Sequence, residues 1–283
     1  MSAYRSLIVW AVGIGVVMAP FLLFVLLGWP GGEDTCVARD LCFCEYVTPG
    51  SIGQRGVRQP VNTWFNLYSI FTSGLVALML YRDRRNGPND WNVMRSNNFI
   101  ADFYVFAVLF LGLGSMWMHA SLVGWAGHID SLSMYVYAAF LVAYTLRRLV
   151  ASDVLFWIVY AVLVVAFEVV SILWTSDDKS LVLILILVLL YLGLEVTVCI
   201  TQRKAFQGRP LTIALWVLAV VSIGLATLFW GLSQTGGAMC WPHSFFQPHG
   251  LLWHPLAGVM AVLLYFYWRE EKTEPASGDK ATR

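Results

Sequence analysis

Long apolar runs separated by short polar stretches set the pattern of this chain. Eight such runs lie near positions 6 to 28, 62 to 81, 98 to 119, 129 to 146, 153 to 174, 180 to 200, 211 to 232 and 249 to 268. Each, as an α-helix, is long enough to cross a hydrocarbon core of ~30 Å. The pattern predicts an all-α integral membrane protein and leaves no room for a separate soluble domain. The longest loop between runs is 29 to 61.

Composition agrees with that solvent. Hydrophobic residues make up 59% and charged residues 12% of the 283, against roughly 45–50% and about 25% in soluble domains. With Arg5 placed on the cytoplasmic side, that side collects fourteen of the eighteen basic residues, leaving Arg39, Arg55, Arg58 and Lys179 opposite. The positive-inside bias therefore predicts that both termini are cytoplasmic. The first run exceeds the ~7–15 residue apolar segment of a signal peptide and lacks a small-x-small cleavage site, so it reads as a retained helix. A net charge of +1, with basic residues dispersed over loops, gives no reason to expect nucleic acid. The polar tail, 269–283, reads as disordered.

Five cysteines divide by side. Cys199 falls in an apolar run, where a small buried hydrophobe is the ordinary role. Cys36, Cys42, Cys44 and Cys240 all fall in outer loops, and no CxxC pair suggests a metal knuckle. Two disulfides are expected, with three connectivities open.

The stretch "GLGSMWMHASLVGWAGHIDSLSMY", residues 112 to 135, breaks the apolar pattern. Ser115 and His119 are spaced i, i+4, about 40° apart on one helix face. Gly112 and Gly114 allow a neighbouring helix to approach closely. Asp130, read as opening the fourth helix after a short connection, falls at the level of His119. His128 reads as a loop residue, solvated or capping. Singly, a Ser, His or Asp near a helix end is more often structural; a cluster of ionisable groups inside a membrane usually has a purpose. His249 and His254, entering the last helix from the same outer side, bring the imidazoles at that depth to three. Three protein ligands with an open fourth position form a catalytic zinc arrangement. Asp130 would then move protons and Ser115 would donate to a developing oxyanion.

These residues resemble the alkaline ceramidases, within the wider seven-helix membrane hydrolase superfamily that includes the adiponectin-type receptors. The resemblance rests on "GSMWMHASLVGWAGHIDSLSMY", on the late "HGLLWHPLAG", and on "FCEY" and "QPVNTWFNL" near the start, and it covers residues 42 to 268. It implies a seven-transmembrane-helix core, with the first helix (1–30) as an addition, a ceramidase-like membrane domain (31–268) and the cytoplasmic tail (269–283). It implies zinc on His119, His249 and His254, with Ser115 and Asp130 catalytic. The implied reaction is hydrolysis of the amide of a ceramide-type N-acyl sphingoid lipid, at the non-cytoplasmic face of a membrane, with the bacterial inner membrane as the expected location. A zinc hydrolase of another membrane lipid, and a non-enzymatic lipid receptor or transporter with a structural zinc, are the competing expectations.

The chain departs from the family pattern in places. The two late histidines are separated by four residues where the family has three, a rotation of about 140° in a regular helix. An irregular entry around Pro248 and Gly250 is needed, or one of the two is not a ligand. In the family's acidic calcium-binding stretch only Glu45 remains; Cys42 and Gln59 stand where acids are expected, and Asp40 is a partial replacement. A tight calcium site is not expected, because calcium prefers several charged oxygens; Asp40 and Glu45 are left as a weak calcium or structural pair. The family's disulfide implies Cys44–Cys240, leaving Cys36–Cys42 as a second pair.

Other polar residues receive quieter roles. Glu168 is expected to face the bundle interior, Glu195 and Asp102 to be interfacial, and Asn62 and Asn66 to act as interhelical glue. No Walker loop, GxSxG elbow or HExxH motif suggests another chemistry.

Overall fold

The computed structural model describes residues 3–34, 43–47, 51–89, 91–174, 179–201 and 210–271. The elements are α1 (Arg5–Leu27), α2 (Pro60–Phe65), α3 (Tyr68–Arg85), α4 (Phe99–Ser121), α5 (Gly124–Val150), α6 (Asp153–Leu173), α7 (Lys179–Thr201), α8 (Pro210–Leu232) and α9 (His254–Arg269). A 3₁₀ turn, Val93–Arg95, precedes α4, and a π-helical turn, His249–Trp253, leads into α9. Among the described residues there is no strand, only the isolated bridges Glu33–Val123 and Phe43–Gln234. Among the described residues, eight helical stretches are long and apolar enough to cross a membrane, α2 with α3 and the π turn with α9 each counting as one.

Local chemistry sets the boundaries. Asn98 and Ser152 cap α4 and α6 by accepting from the Ile100 and Leu155 amides. Pro60 opens α2 at a position where its missing N–H costs nothing. Leu122 and Ala151 end α4 and α5 in the left-handed region, at φ 54° and 56°, a conformation that disfavours a Cβ by ~1–2 kcal/mol. Each lets the chain reverse within two residues. Leu122 is held there by its amide on Met118 O at 2.7 Å and by the Asp34 amide on its own carbonyl at 2.9 Å.

Helices α4 and α5 form the centre of the bundle and are the most enclosed. Their close approach is built on Gly114, where a Cβ would lie 2.5 Å from that of Ser133. Gly112 does the same against the start of α3 and the turn before it, where a Cβ would meet Ser69 Cβ at 2.6 Å and Asn66 O at 2.5 Å. Helix α1 lies on α3 and α4. It is fastened there by an aromatic cluster of Phe21, Phe24, Trp29, Trp117 and Trp125. The outward faces of α1, α6, α7 and α8 expose Val, Ile and Leu, among them Leu26, Val162, Leu189 and Leu228.

The end of the bundle away from the late histidines is tied by ion pairs. Asp102, fully buried, accepts from Arg84 at 2.6 and 3.1 Å and from Arg5 at 2.5 Å. Arg148 joins Glu195 at 2.6 Å, Glu271, and the Tyr267 hydroxyl at 3.2 Å. Asp102 and Glu195 are thus buried structural partners within the bundle; a guanidinium on a neighbouring element compensates each. Breaking a buried pair leaves the other charge stranded. The Arg148→Ala variant is accordingly expected to lose about 3–5 kcal/mol, read as a lower midpoint of thermal unfolding in detergent.

Candidate metal centre

His119 sits in the last turn of α4, His249 opens the π turn and His254 opens α9. The π turn resolves their awkward spacing. The His254 amide bonds back to His249 O, an i→i+5 bond, so one extra residue is taken up in the turn and residues five apart return to one face. The irregular entry required by the sequence is this turn. Gly250 makes room for it against α2, since a Cβ there would lie 3.0 Å from Asn62 Oδ1 and 3.1 Å from Val61 O.

The three imidazoles are buried and converge. One nitrogen from each lies within 4.8 Å of the others, and His119 Nε2 and His249 Nε2 are 3.1 Å apart. Ring centroids are 4.5 to 5.5 Å apart. Tetrahedral coordination at ~2.0–2.1 Å places ligand atoms about 3.3 Å from one another. The group could hold a metal ion with only small side-chain adjustment. Three nitrogen donors suit zinc and its neighbours in the first transition row and exclude an oxygen-seeking cation such as calcium.

A second layer of side chains orients the imidazoles. Gln59, fully buried, faces His119 Nδ1 with its Oε1 at 2.8 Å. That bond fixes the proton on Nδ1 and frees Nε2. The Gln59 Nε2 donates to Phe43 O at 3.1 Å and Glu45 O at 3.3 Å, so one amide connects the His119 ring to the segment 43–47. The Glu45 carboxylate accepts from the Val61 and Asn62 amides, both at 2.8 Å, and so caps α2. Burial pushes the Glu45 carboxyl above its ordinary range, partly offset by those two amides. Asp40 lies outside the described residues.

The segment 43–47 also covers the imidazoles on one side. The Phe43 ring stacks on His249 with centroids 3.5 Å apart. A disulfide joins Cys44 to Cys240, the pairing the resemblance implied. Cys36 and Cys42 lie outside the described residues.

Ser115 is buried one turn before His119 on α4, with its hydroxyl within interaction range of the Asp130 carboxyl. Asp130 does not open its helix: α5 starts at Gly124, because Leu122 reverses the chain within two residues. Asp130 therefore lies six residues inside α5, half-buried. His128, expected in a loop, is also helical, with Nδ1 3.4 Å from Glu168 Oε1 of α6. Tyr68 stacks on His254 and lies within electrostatic reach of Asp130. Asn66, expected to be helix glue, has Nδ2 3.2 Å from His254 Nε2. The asparagine spacing marked a helix face, without showing that the face meets the last helix.

No protein-family model matches this chain, and no curated protein matches it at a significant level.

Gln59→Leu removes the bond to His119 while keeping bulk. Metal affinity is expected to fall about 10- to 100-fold, read by competition against a chelator of known affinity, with helical content unchanged.

Proposed function

We propose that the chain is an integral membrane zinc amidohydrolase that cleaves the amide of ceramide-type N-acyl sphingoid lipids. The convergence of His119, His249 and His254 beside the Ser115–Asp130 pair carries this reading. It is supported by an open apolar groove between α5, α7, α8 and α9. The groove runs from Trp253, next to His254, down to Leu264, roughly 16 Å along the helix axis. On α5 its wall is Met134, Tyr137, Ala138 and Leu141, the face that Asp130 extends by one turn. An acyl chain lying there presents its amide to the imidazoles.

Bound zinc would supply Lewis acidity and a nucleophile at neutral pH. Asp130 takes a proton from the attacking water and gives it to the leaving amine. Ser115, released from the Asp130 carboxylate once that group takes up the proton, turns its single O–H to the carbonyl oxygen as charge develops. Phe43 and the disulfide-linked segment keep bulk water off His249. The basic end of the bundle, with Arg5, Arg84, Arg148 and Arg269, lies away from the imidazoles, which supports cytoplasmic termini and a site toward the other side. A bacterial inner membrane fits this orientation.

A panel of lipids in detergent or vesicles tests the substrate class. Free fatty acid is expected from N-acyl sphingoid lipids in preference to glycerolipid esters. Release from esters alone would point to another lipid hydrolase, and no release from any lipid by the zinc-loaded protein would point to a receptor or transporter.

A further inference from the structure

Two fully buried amides beside the imidazoles have unused hydrogen-bonding capacity. Asn66 Nδ2 donates to Asn62 O at 2.9 Å and lies 3.2 Å from His254 Nε2, while its Oδ1 has no partner. Neither side-chain atom of Asn62 has one. Leaving a buried acceptor unpaired costs about 1–3 kcal/mol. The backbone around Asn66 is rigidly held: its carbonyl accepts from Ser69 Oγ at 3.1 Å, and Gly112 lets α4 press against it. Asn66 stands at the break between α2 and α3, where the chain turns its side chain toward His254.

We propose that Asn66 is a specificity-determining residue, its free Oδ1 accepting the N–H of the substrate's amide. The assignment rests on the hydrolase reading above. An amide has both a carbonyl acceptor and an N–H donor, whereas the matching ester has no N–H and turns an oxygen toward Oδ1. The ester leaves the buried acceptor unpaired, which is the kind of loss a site uses to reject an analogue. Asn62, one helical turn away, accepts Asn66 Nδ2 on its carbonyl and so sets the direction in which Oδ1 points.

The test uses the full-length zinc-loaded protein and compares kcat/KM for an N-acyl lipid and its O-acyl counterpart in wild type, Asn66→Ala and Asn66→Ser. Zinc content and thermal unfolding are measured on the same samples. In both variants the amide-to-ester ratio is expected to fall by about tenfold or more, with zinc retained. An unchanged ratio overturns the proposal, as does loss of zinc or of fold in both variants, since Asn66 would then act only as a structural bond to His254. A zinc-loaded wild type that cleaves neither lipid contradicts the hydrolase reading itself, and this assignment with it.

Discussion

His249→Ala is expected to abolish metal retention and lipid hydrolysis together. Structural zinc sites with four ligands bind with about 10–16 kcal/mol, which puts one ligand at roughly 2.5–4 kcal/mol and its loss at ~10²–10³-fold in affinity. His249 also has its Nε2 3.1 Å from that of His119 and carries the Phe43 ring, so its removal opens the wall that this ring forms as well. The fold should persist, because the ion pairs around Asp102 and Arg148 and the α4–α5 contact lie elsewhere. His243→Ala is the control: its ring packs at a tilt against Tyr46, outside the triad. Elemental analysis and fatty-acid release should both separate the two variants. Zinc retained at wild-type occupancy in His249→Ala would remove this residue from the ligand set.

The second large effect concerns Asp130. Asn in its place keeps the shape and a hydrogen-bonding partner for Ser115 but cannot carry a proton. The kcat is expected to fall by about 10²–10⁴, with zinc content unchanged. The combination matters, because a structural or receptor role for the metal would leave function largely intact in Asp130→Asn. A fall in zinc alongside activity would instead make Asp130 part of the metal's support.

Helices were legible where apolar runs are long; all eight runs emerge as helices with ends within several residues. The fourth was read as starting near 129 because "GWAGH" is too polar and glycine-rich to extend an apolar pattern. Its helical state depends on the left-handed Leu122, a conformation that a leucine does not advertise. The same shift carried His128 and Asp130 into the helix.

The histidine triad was legible as residue types. Its geometry required knowing that the turn before His254 is π-helical, which Pro248 and Gly250 permit without specifying. Gln59 drew notice as a missing acid, whereas its role comes from touching three partners more than ten residues away in sequence. Asp102 and Glu195 looked interfacial because they fall near helix ends; only the fold brings Arg84 and Arg148 to them. Contacts of this kind leave no local period in the sequence. The Cys44–Cys240 disulfide was one of three open connectivities from the residues alone, and the family resemblance selected it.

The most direct test of the account is the zinc stoichiometry of purified wild-type protein, determined by elemental analysis on the same sample in which fatty-acid release from ceramide is followed. The account predicts one zinc per chain, activity lost on chelation, and activity restored by zinc alone. Ceramide hydrolysis that persists in the fully metal-free protein would contradict it.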